Sequence, residues 1–252
     1  MKPKKSLGQN FLTSVPARIA IVDAGEVTSQ DAILEIGPGR GFLTGALIET
    51  GAHVTALEKD SDLIPLLAEQ FSSAQNFTLI EGDALTYNPP QAGYKLIANI
   101  PYYITGAILE RYLSHANQPT TMVVLVQKEV AERVCAREGK ESILSLSVKA
   151  YGEPKLVYKV SRGSFNPAPT VDSAVLQIKN ISRKNFKNQY HEQMFFKVMK
   201  AGFAHKRKFL ISNLKEAIPA VNWPEVFTSQ GVSEKVRAED VKLFTWLTLS
   251  AF

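Results

Sequence analysis

The sequence predicts an α/β protein with two parts: residues 1–181 around a mostly parallel sheet with an antiparallel edge strand, and residues 182–252 as a small all-helical domain. Three observations lead there. Apolar strand-like runs at 33–36, 54–57, 77–80, 95–98 and 121–126 are separated mostly by segments able to form helices, the pattern of a parallel sheet covered on both faces. Two further β-rich runs, 155–160 and 174–178, have between them only a short Pro-rich connection, too short for a helical crossover, so they are expected to pair antiparallel at the sheet edge. After about Ile181 the strand pattern stops, and 193–204, 208–217 and 224–230 read as short helices. Residues 1–12 precede the first run as an N-terminal tail. No internal repeat, low-complexity tract or long linker interrupts the chain, so the two parts should be joined closely around residues 180–187.

With 252 residues, 45% of them hydrophobic, the chain can bury a substantial core. The longest apolar runs, such as 122–126, are far too short to cross a bilayer, and no signal-peptide apolar region follows the basic start. A soluble, cytoplasmic protein with no membrane partner is expected. The one cysteine, Cys135, cannot form an internal disulfide, and His53, His115, His191 and His205 lack metal-ligand spacing, so neither redox chemistry nor a metal is indicated; a monomer is expected. The net charge of +5 is uneven: residues 182–252 carry 12 Lys/Arg against 6 Asp/Glu, leaving 17 against 18 before them. A basic module beside a near-neutral one fits contact with a polyanion such as RNA or DNA; lysines on a solvated helix face are the plainer alternative. Lys206-Arg207-Lys208, close to Lys197, Lys200 and His205, is the best candidate for phosphate contact, with Lys2, Lys4 and Lys5 able to add to it.

The chemistry concentrates at strand ends. The run 95–98 should be a central strand, stopped by Pro101, so that Asn99 and Tyr102 project from its carboxyl end. An Asn oxygen and the carbonyl of Ile100 or Pro101 can accept from an exocyclic amine while Tyr102 offers a face for stacking: together, a grip on adenine. Read alone, the tetrapeptide also fits an ordinary strand-ending turn.

Directly after the first strand comes Glu35-Ile36-Gly37-Pro38-Gly39-Arg40-Gly41, then a helix-compatible run. Glycines at such a turn let the backbone approach a ligand that a β-carbon would exclude, and the helix N-terminus favours a carboxylate. The glycine spacing differs from the dinucleotide form. About twenty residues on, the second strand ends in Leu57-Glu58-Lys59, placing a carboxylate suited to ribose hydroxyls; the third ends in Glu81-Gly82-Asp83-Ala84, suited to an adenine amine. With Asn99, four successive strand tips carry ligand-type residues, along the edge where open α/β sheets bind ligands. This points to a Rossmann-like sheet holding a nucleoside cofactor, for which S-adenosyl-L-methionine fits better than a nicotinamide dinucleotide, with Gly37, Gly39, Glu58, Lys59, Asp83, Ala84 and Asn99 as the cofactor set. Glu35 could instead orient the loop, and Lys59 could be a solvent-facing neighbour.

At this point the sequence resembles the ribosomal RNA adenine N6,N6-dimethyltransferases of the small-subunit KsgA type. The likeness spans nearly the whole chain: Leu7-Gly8-Gln9-Asn10-Phe11-Leu12, the glycine-rich loop, Glu58, Gly82-Asp83-Ala84, Asn99-Ile100-Pro101-Tyr102, residues 165–173 and Ala201-Gly202-Phe203 with its basic run. The resemblance implies that Asn10, Leu12, Gly37, Glu58, Asp83 and Asn99 contact S-adenosylmethionine, and that Asn99, Tyr102 and Phe165, with Pro101 shaping the turn, surround the target base. It further implies a substrate of two adjacent adenines near the 3′ end of small-subunit rRNA, in RNA or a pre-ribosomal particle, each dimethylated during ribosome biogenesis. Two positions depart from the family pattern: Tyr103 stands where Asn is usual, and Thr170 where a basic residue is usual.

Adenine's exocyclic nitrogen is a poor nucleophile until acceptors hold its hydrogens, which is the expected role of Asn99 and a neighbouring carbonyl. Tyr102 and Phe165 are expected to sandwich the base. Three rival readings share features of the chain: a large-subunit rRNA adenine methyltransferase of the antibiotic-resistance type, a non-catalytic RNA-binding assembly factor, and a DNA amine methyltransferase.

Overall fold

The computed structural model describes residues 3–4, 7–89, 91–136 and 139–251. These form two compact units, Met1–Ala131 with Gly152–Ile181, and Glu132–Tyr151 with Ser182–Phe252.

The first unit is built on a seven-stranded sheet. Its strands are β2 (Ala32–Ile36), β3 (His53–Glu58), β4 (Phe77–Glu81), β5 (Lys95–Asn99), β6 (Thr121–Gln127), β7 (Glu153–Val160) and β9 (Ser173–Lys179), in the order β4-β3-β2-β5-β6-β9-β7. Neighbours from β4 to β6 are parallel, and β9 alone is reversed, antiparallel to both β6 and β7. The expected antiparallel pairing of the last two strands is therefore present, at the expected edge. Leu96, Ile97 and Ala98 of β5 and residues 122–126 of β6 are all fully buried. Such strands carry unbroken apolar runs because both faces are covered.

Helix α1 (Val15–Gly25) packs on β6 and on α2 (Phe42–Glu49). Its start is set by Ser14, whose side chain accepts from Ala17 N, with a proline in the first turn. Ile21 and Leu47 from these helices join Ile33, Val54, Ile97, Val123 and Val175 of the sheet in one core cluster. Helices α3 (Ile64–Gln70) and α4 (Thr105–Ser114) follow β3 and β5. The segment read as an N-terminal tail contains a short strand, β1 (Phe11–Leu12), paired antiparallel with β8 (Phe165–Asn166).

Helix α5 (Lys128–Val134) straddles the division between the units. The second unit contains α6 (Ile143–Lys149), α7 (Gln189–Gly202), α8 (Leu210–Ala217), α9 (Trp223–Ser229) and α10 (Leu243–Leu249). Asn188 caps α7 by accepting from His191 N at 2.9 Å. Trp223, Trp246, Phe195 and Phe227 are fully buried, and the two indole N–H groups donate to Ile218 O and Val241 O at 2.9 and 3.1 Å. Ala201-Gly202-Phe203 is a packing device here. A β-carbon on Gly202 would stand 2.5 Å from Leu210 and from Trp246, whose ring stacks on Phe203 at 5.5 Å.

One boundary differs from the sequence expectation. Residues 132–151, placed with the sheet by chain continuity, belong to the helical unit. Glu141 N donates to Glu239 O at 2.7 Å, α6 packs on α7, and Tyr151 OH bonds to Glu192 at the other end of the segment. Adjacency along the chain does not reveal which unit buries a segment's apolar face. Among the described residues no helix is long and apolar enough to cross a membrane.

Candidate active site

Strand order reverses direction between β2 and β5, and a cavity of about 550 Å³ opens beside the carboxyl ends there. The tips of β2, β3, β4 and β5 line it, and residues 7–13 form a further wall. Every sequence-predicted cofactor residue faces this one cavity: Asn10, Leu12, Gly37, Gly39, Glu58, Lys59, Asp83, Ala84 and Asn99.

The glycine loop is fastened to β3. Gly37 N donates to Leu57 O at 3.0 Å, and Gly39 N donates to Glu58 Oε2 at 3.1 Å. Gly39 has φ 59°, and a β-carbon there would meet the Phe11 ring at 3.0 Å, so both its conformation and its neighbour exclude a side chain. Phe11 in turn carries the Arg40 guanidinium 4.6 Å over its ring. Glu58 is 6% exposed; burial pushes its carboxyl pKa up, against the N–H donors of Asp60, at 2.8 Å on Oε1, and Gly39. The carboxylate is thus oriented from behind by backbone donors while its residue faces the cavity.

At the β4 tip, Lys59 Nζ bonds to Asp83 Oδ2 at 2.8 Å and Leu85 N donates to Oδ1 at 2.9 Å. The Lys59 hydrogen bond, with that of Leu85, holds the Asp83 carboxyl below the usual range. Ala84 O accepts from Tyr112 OH at 3.1 Å. At the β5 tip, Asn99 Nδ2 donates to Asn10 O at 3.4 Å, and Asn10 Nδ2 to Gly8 O at 3.2 Å. Pro101 and Tyr102 line the cavity beside them, and Tyr102 OH is 2.6 Å from Ser173 Oγ, a fully buried partner on β9. Burial raises the Tyr102 phenol pKa. Tyr103, 68% exposed, lies against Gly8 at the cavity's edge.

Phe165 stands apart from the expectation. It is 5% exposed, belongs to the core cluster and does not line the cavity; Asn166 does. In β8 successive side chains point to opposite sides, and the Phe165 ring joins the core cluster while Asn166 turns the other way. Tyr102 lines the cavity and Phe165 lies behind it in the core. Glu35 also stays outside the cavity. It is 1% exposed, and burial raises its pKa to about 8, with a smaller push from Glu58.

In the helical unit Lys197 and Lys200 share the solvent face of α7, and Lys206, Arg207 and Lys208 are exposed in the turn before α8. Lys208 Nζ lies 2.7 Å from Glu216, which offsets part of its charge. Lys4 is not the exposed phosphate contact the sequence suggested: its ammonium pairs with Asp60 at 2.5 Å and Asp62 at 2.6 Å. Lys2 and Lys5 lie outside the described residues. Sequence reasoning passed over Gln9, Asp60, Asn166 and Ser173. Asp60, two residues after Glu58 in an acidic turn, had a local signal, and Gln9, Asn166 and Ser173 lie within the motifs that carry the family resemblance.

The sequence matches the family model described as ribosomal RNA adenine dimethylase over residues 1–252. Ribosomal RNA small subunit methyltransferase A of Fusobacterium nucleatum subsp. nucleatum is 39% identical over 98% of this chain and 96% of that protein. The fold is similar to a dimethyladenosine transferase from Plasmodium falciparum (TM-score 0.82, 26% identity, 95% of each chain). It is similar also to the 23S rRNA methyltransferase ErmE (TM-score 0.80, 26% identity, 96% of this chain and 98% of that one). The chain belongs to the ribosomal RNA adenine dimethylase family.

Proposed function

We propose that this chain uses S-adenosylmethionine to dimethylate adenine N6 in small-subunit rRNA during ribosome biogenesis in the cytoplasm. The observation that carries the reading is the meeting of Glu58, Asp83 and Asn99, from three different strand tips, in one cavity.

The residues present fit the cofactor. The volume of about 550 Å³ suits a nucleoside bearing an amino-acid chain. Glu58 offers a carboxylate to ribose hydroxyls, Asp83 an acceptor to an adenine amine, and Gly37 and Gly39 leave backbone where a β-carbon would intrude. When bound, S-adenosylmethionine supplies a sulfonium-activated methyl group.

Asn99 then acts on the substrate base. Its Nδ2 is committed to Asn10 O, so Oδ1 is the atom that accepts a hydrogen of the adenine amine, with the Ile100 or Pro101 carbonyl as a second acceptor. Held this way, the nitrogen lone pair is turned toward the methyl group, and alignment of this kind contributes on the order of 7 to 11 kcal/mol. The methylated nitrogen is cationic and releases its proton to water, so no side chain serves as general base. An extruded adenine costs a few kcal/mol to unstack. Tyr102, its phenol anchored by Ser173, offers a stacking face for about 1 to 3 kcal/mol in return. Lys197, Lys200, Lys206, Arg207 and Lys208 are proposed as RNA-phosphate contacts of the helical unit.

A small-subunit substrate is favoured over a large-subunit one because the 39%-identical relative carries the small-subunit name, whereas the 23S enzyme is only 26% identical. The test is to incubate the protein with labelled cofactor and purified small- or large-subunit particles, then map methylated adenines. Label in small-subunit rRNA is expected. Label only in large-subunit rRNA would refute the substrate assignment, and cofactor binding without any label would refute catalysis.

A further inference from the structure

The cavity wall made by residues 7–13 is tied down at both ends. At its far end Phe11 pairs with Asn166 and Thr13 N donates to Ser164 O at 2.8 Å. At its near end the described ties gather on Asp60, and Lys4 Nζ also pairs with Asp62 at 2.6 Å. Asp60, 2% exposed, accepts from Lys4 Nζ on Oδ1 at 2.5 Å and from Gln9 Nε2 on Oδ2 at 2.7 Å. Gln9 is itself held, because its Oε1 accepts from Lys4 N at 2.7 Å. The backbone N–H of the same Asp60 donates to Glu58 Oε1 at 2.8 Å, and Glu58 Oε2 receives Gly39 N. One residue therefore joins the N-terminal wall to the carboxylate at the β3 tip and, through it, to the glycine loop. Neither Lys4 nor Asp60 lines the cavity.

We propose that Asp60 is a positioning residue that couples the N-terminal wall to Glu58, so that cofactor affinity depends on the Lys4–Asp60–Gln9 tie although Lys4 and Asp60 touch no cofactor. The proposal rests on reading the cavity as the S-adenosylmethionine site. Its physical basis is the state of a buried carboxylate. Stripped of its Lys4 and Gln9 donors, Asp60 would be a buried carboxylate left with the Asp62 N–H at 3.2 Å, and the turn carrying Glu58 would have to rearrange to hydrate it. By reciprocity, a ligand that orders the Glu58 side of the cavity stabilises the N-terminal wall by the same free energy.

Calorimetric titration of S-adenosylmethionine into the full chain tests this, using Lys4→Met, Gln9→Ala, Asp60→Asn and the Lys4→Met/Asp60→Asn pair. Coupling energies between linked sites correspond to about 5- to 150-fold in affinity, and each single variant is expected to weaken binding roughly tenfold. The pair should be no weaker than its weaker member, because both changes cut the same tie. In turnover assays KM for the cofactor should rise while kcat at saturation stays near the parental value. Lys4 is partly exposed, so Lys4→Met keeps the test valid if Asp60→Asn does not fold. Parental affinity in Lys4→Met, or multiplicative losses in the pair, would overturn the coupling while leaving the cofactor reading intact. Failure of the unmodified protein to bind the cofactor would overturn both.

Discussion

Replacing Glu35 by Gln should abolish a loss of stability that the native protein suffers as pH rises. Glu35 sits under the glycine loop with 1% of its surface exposed, and its buried Oε2 has no hydrogen-bond partner. Burial raises its pKa from 4.5 to about 8. Between these values the native state holds a proton that the unfolded state has released, so stability is full below about 4.5 and falls by about 1.4 kcal/mol per pH unit until about 8. Across that window the loss is on the order of 5 kcal/mol, comparable to the whole stability of a small domain. Gln keeps the shape and cannot ionise. Urea unfolding of both proteins, at fixed ionic strength from about pH 5 to about pH 9, measures the effect. The variant should gain on the parent by about 1.4 kcal/mol per pH unit and level off above about pH 8. A gap that does not change with pH would show that Glu35 is not held protonated under the loop.

Asn99→Ala is expected to retain cofactor binding by calorimetry and to lose about 100-fold or more in methyl transfer, as when one preorganised polar group is removed from a reacting centre; methylation at the parental rate would refute its role. Tyr102→Ala should raise KM for RNA by the about 1 to 3 kcal/mol of a stacked base, whereas Tyr102→Phe forfeits only the Ser173 bond, about 0.5 to 1.5 kcal/mol, read in a stability measurement. Neutralising Lys206, Arg207 and Lys208 together should flatten the salt dependence of RNA binding by about two phosphate contacts rather than three, since Lys208 is already paired with Glu216; an unchanged slope would reassign them to a solvated turn. Gly202→Ala should cost about 1 to 3 kcal/mol in denaturant unfolding because its methyl group must displace Trp246 or Leu210; an unchanged midpoint would refute the packing role.

The sheet was legible because its strands obey local rules. Unbroken apolar runs at β5 and β6 mark strands buried on both faces, and the short link between β7 and β9 rules out a parallel crossover. The cavity-facing residues of the sheet were legible for a related reason: Gly37, Gly39, Glu58, Lys59, Asp83, Ala84 and Asn99 sit at or just after strand ends, and parallel strands bring those ends to one edge, whereas Asn10 and Leu12 came from the family resemblance alone. Phe165 is buried in the core cluster while its neighbour Asn166 lines the cavity, a facing that motif proximity alone does not reveal. Its β1 partner Leu12 is 153 residues earlier in the chain, and both belong to the core cluster that only this pairing assembles. Residues 132–151 were assigned to the wrong unit on the same ground, since their partners Glu192 and Glu239 lie far downstream.

The amino-acid sequence by itself determined the α/β architecture, the four acidic, glycine or amide strand tips and the basic excess of the C-terminal part, because each depends on residues within a few positions of one another. Tertiary structure alone decided that Lys4 pairs with Asp60 instead of facing solvent, that Phe165 packs into the core, and that Glu35 is buried deeply enough to hold its proton. Those outcomes depend on desolvation and on partners tens to more than a hundred residues away, which only the closed chain brings within bonding distance.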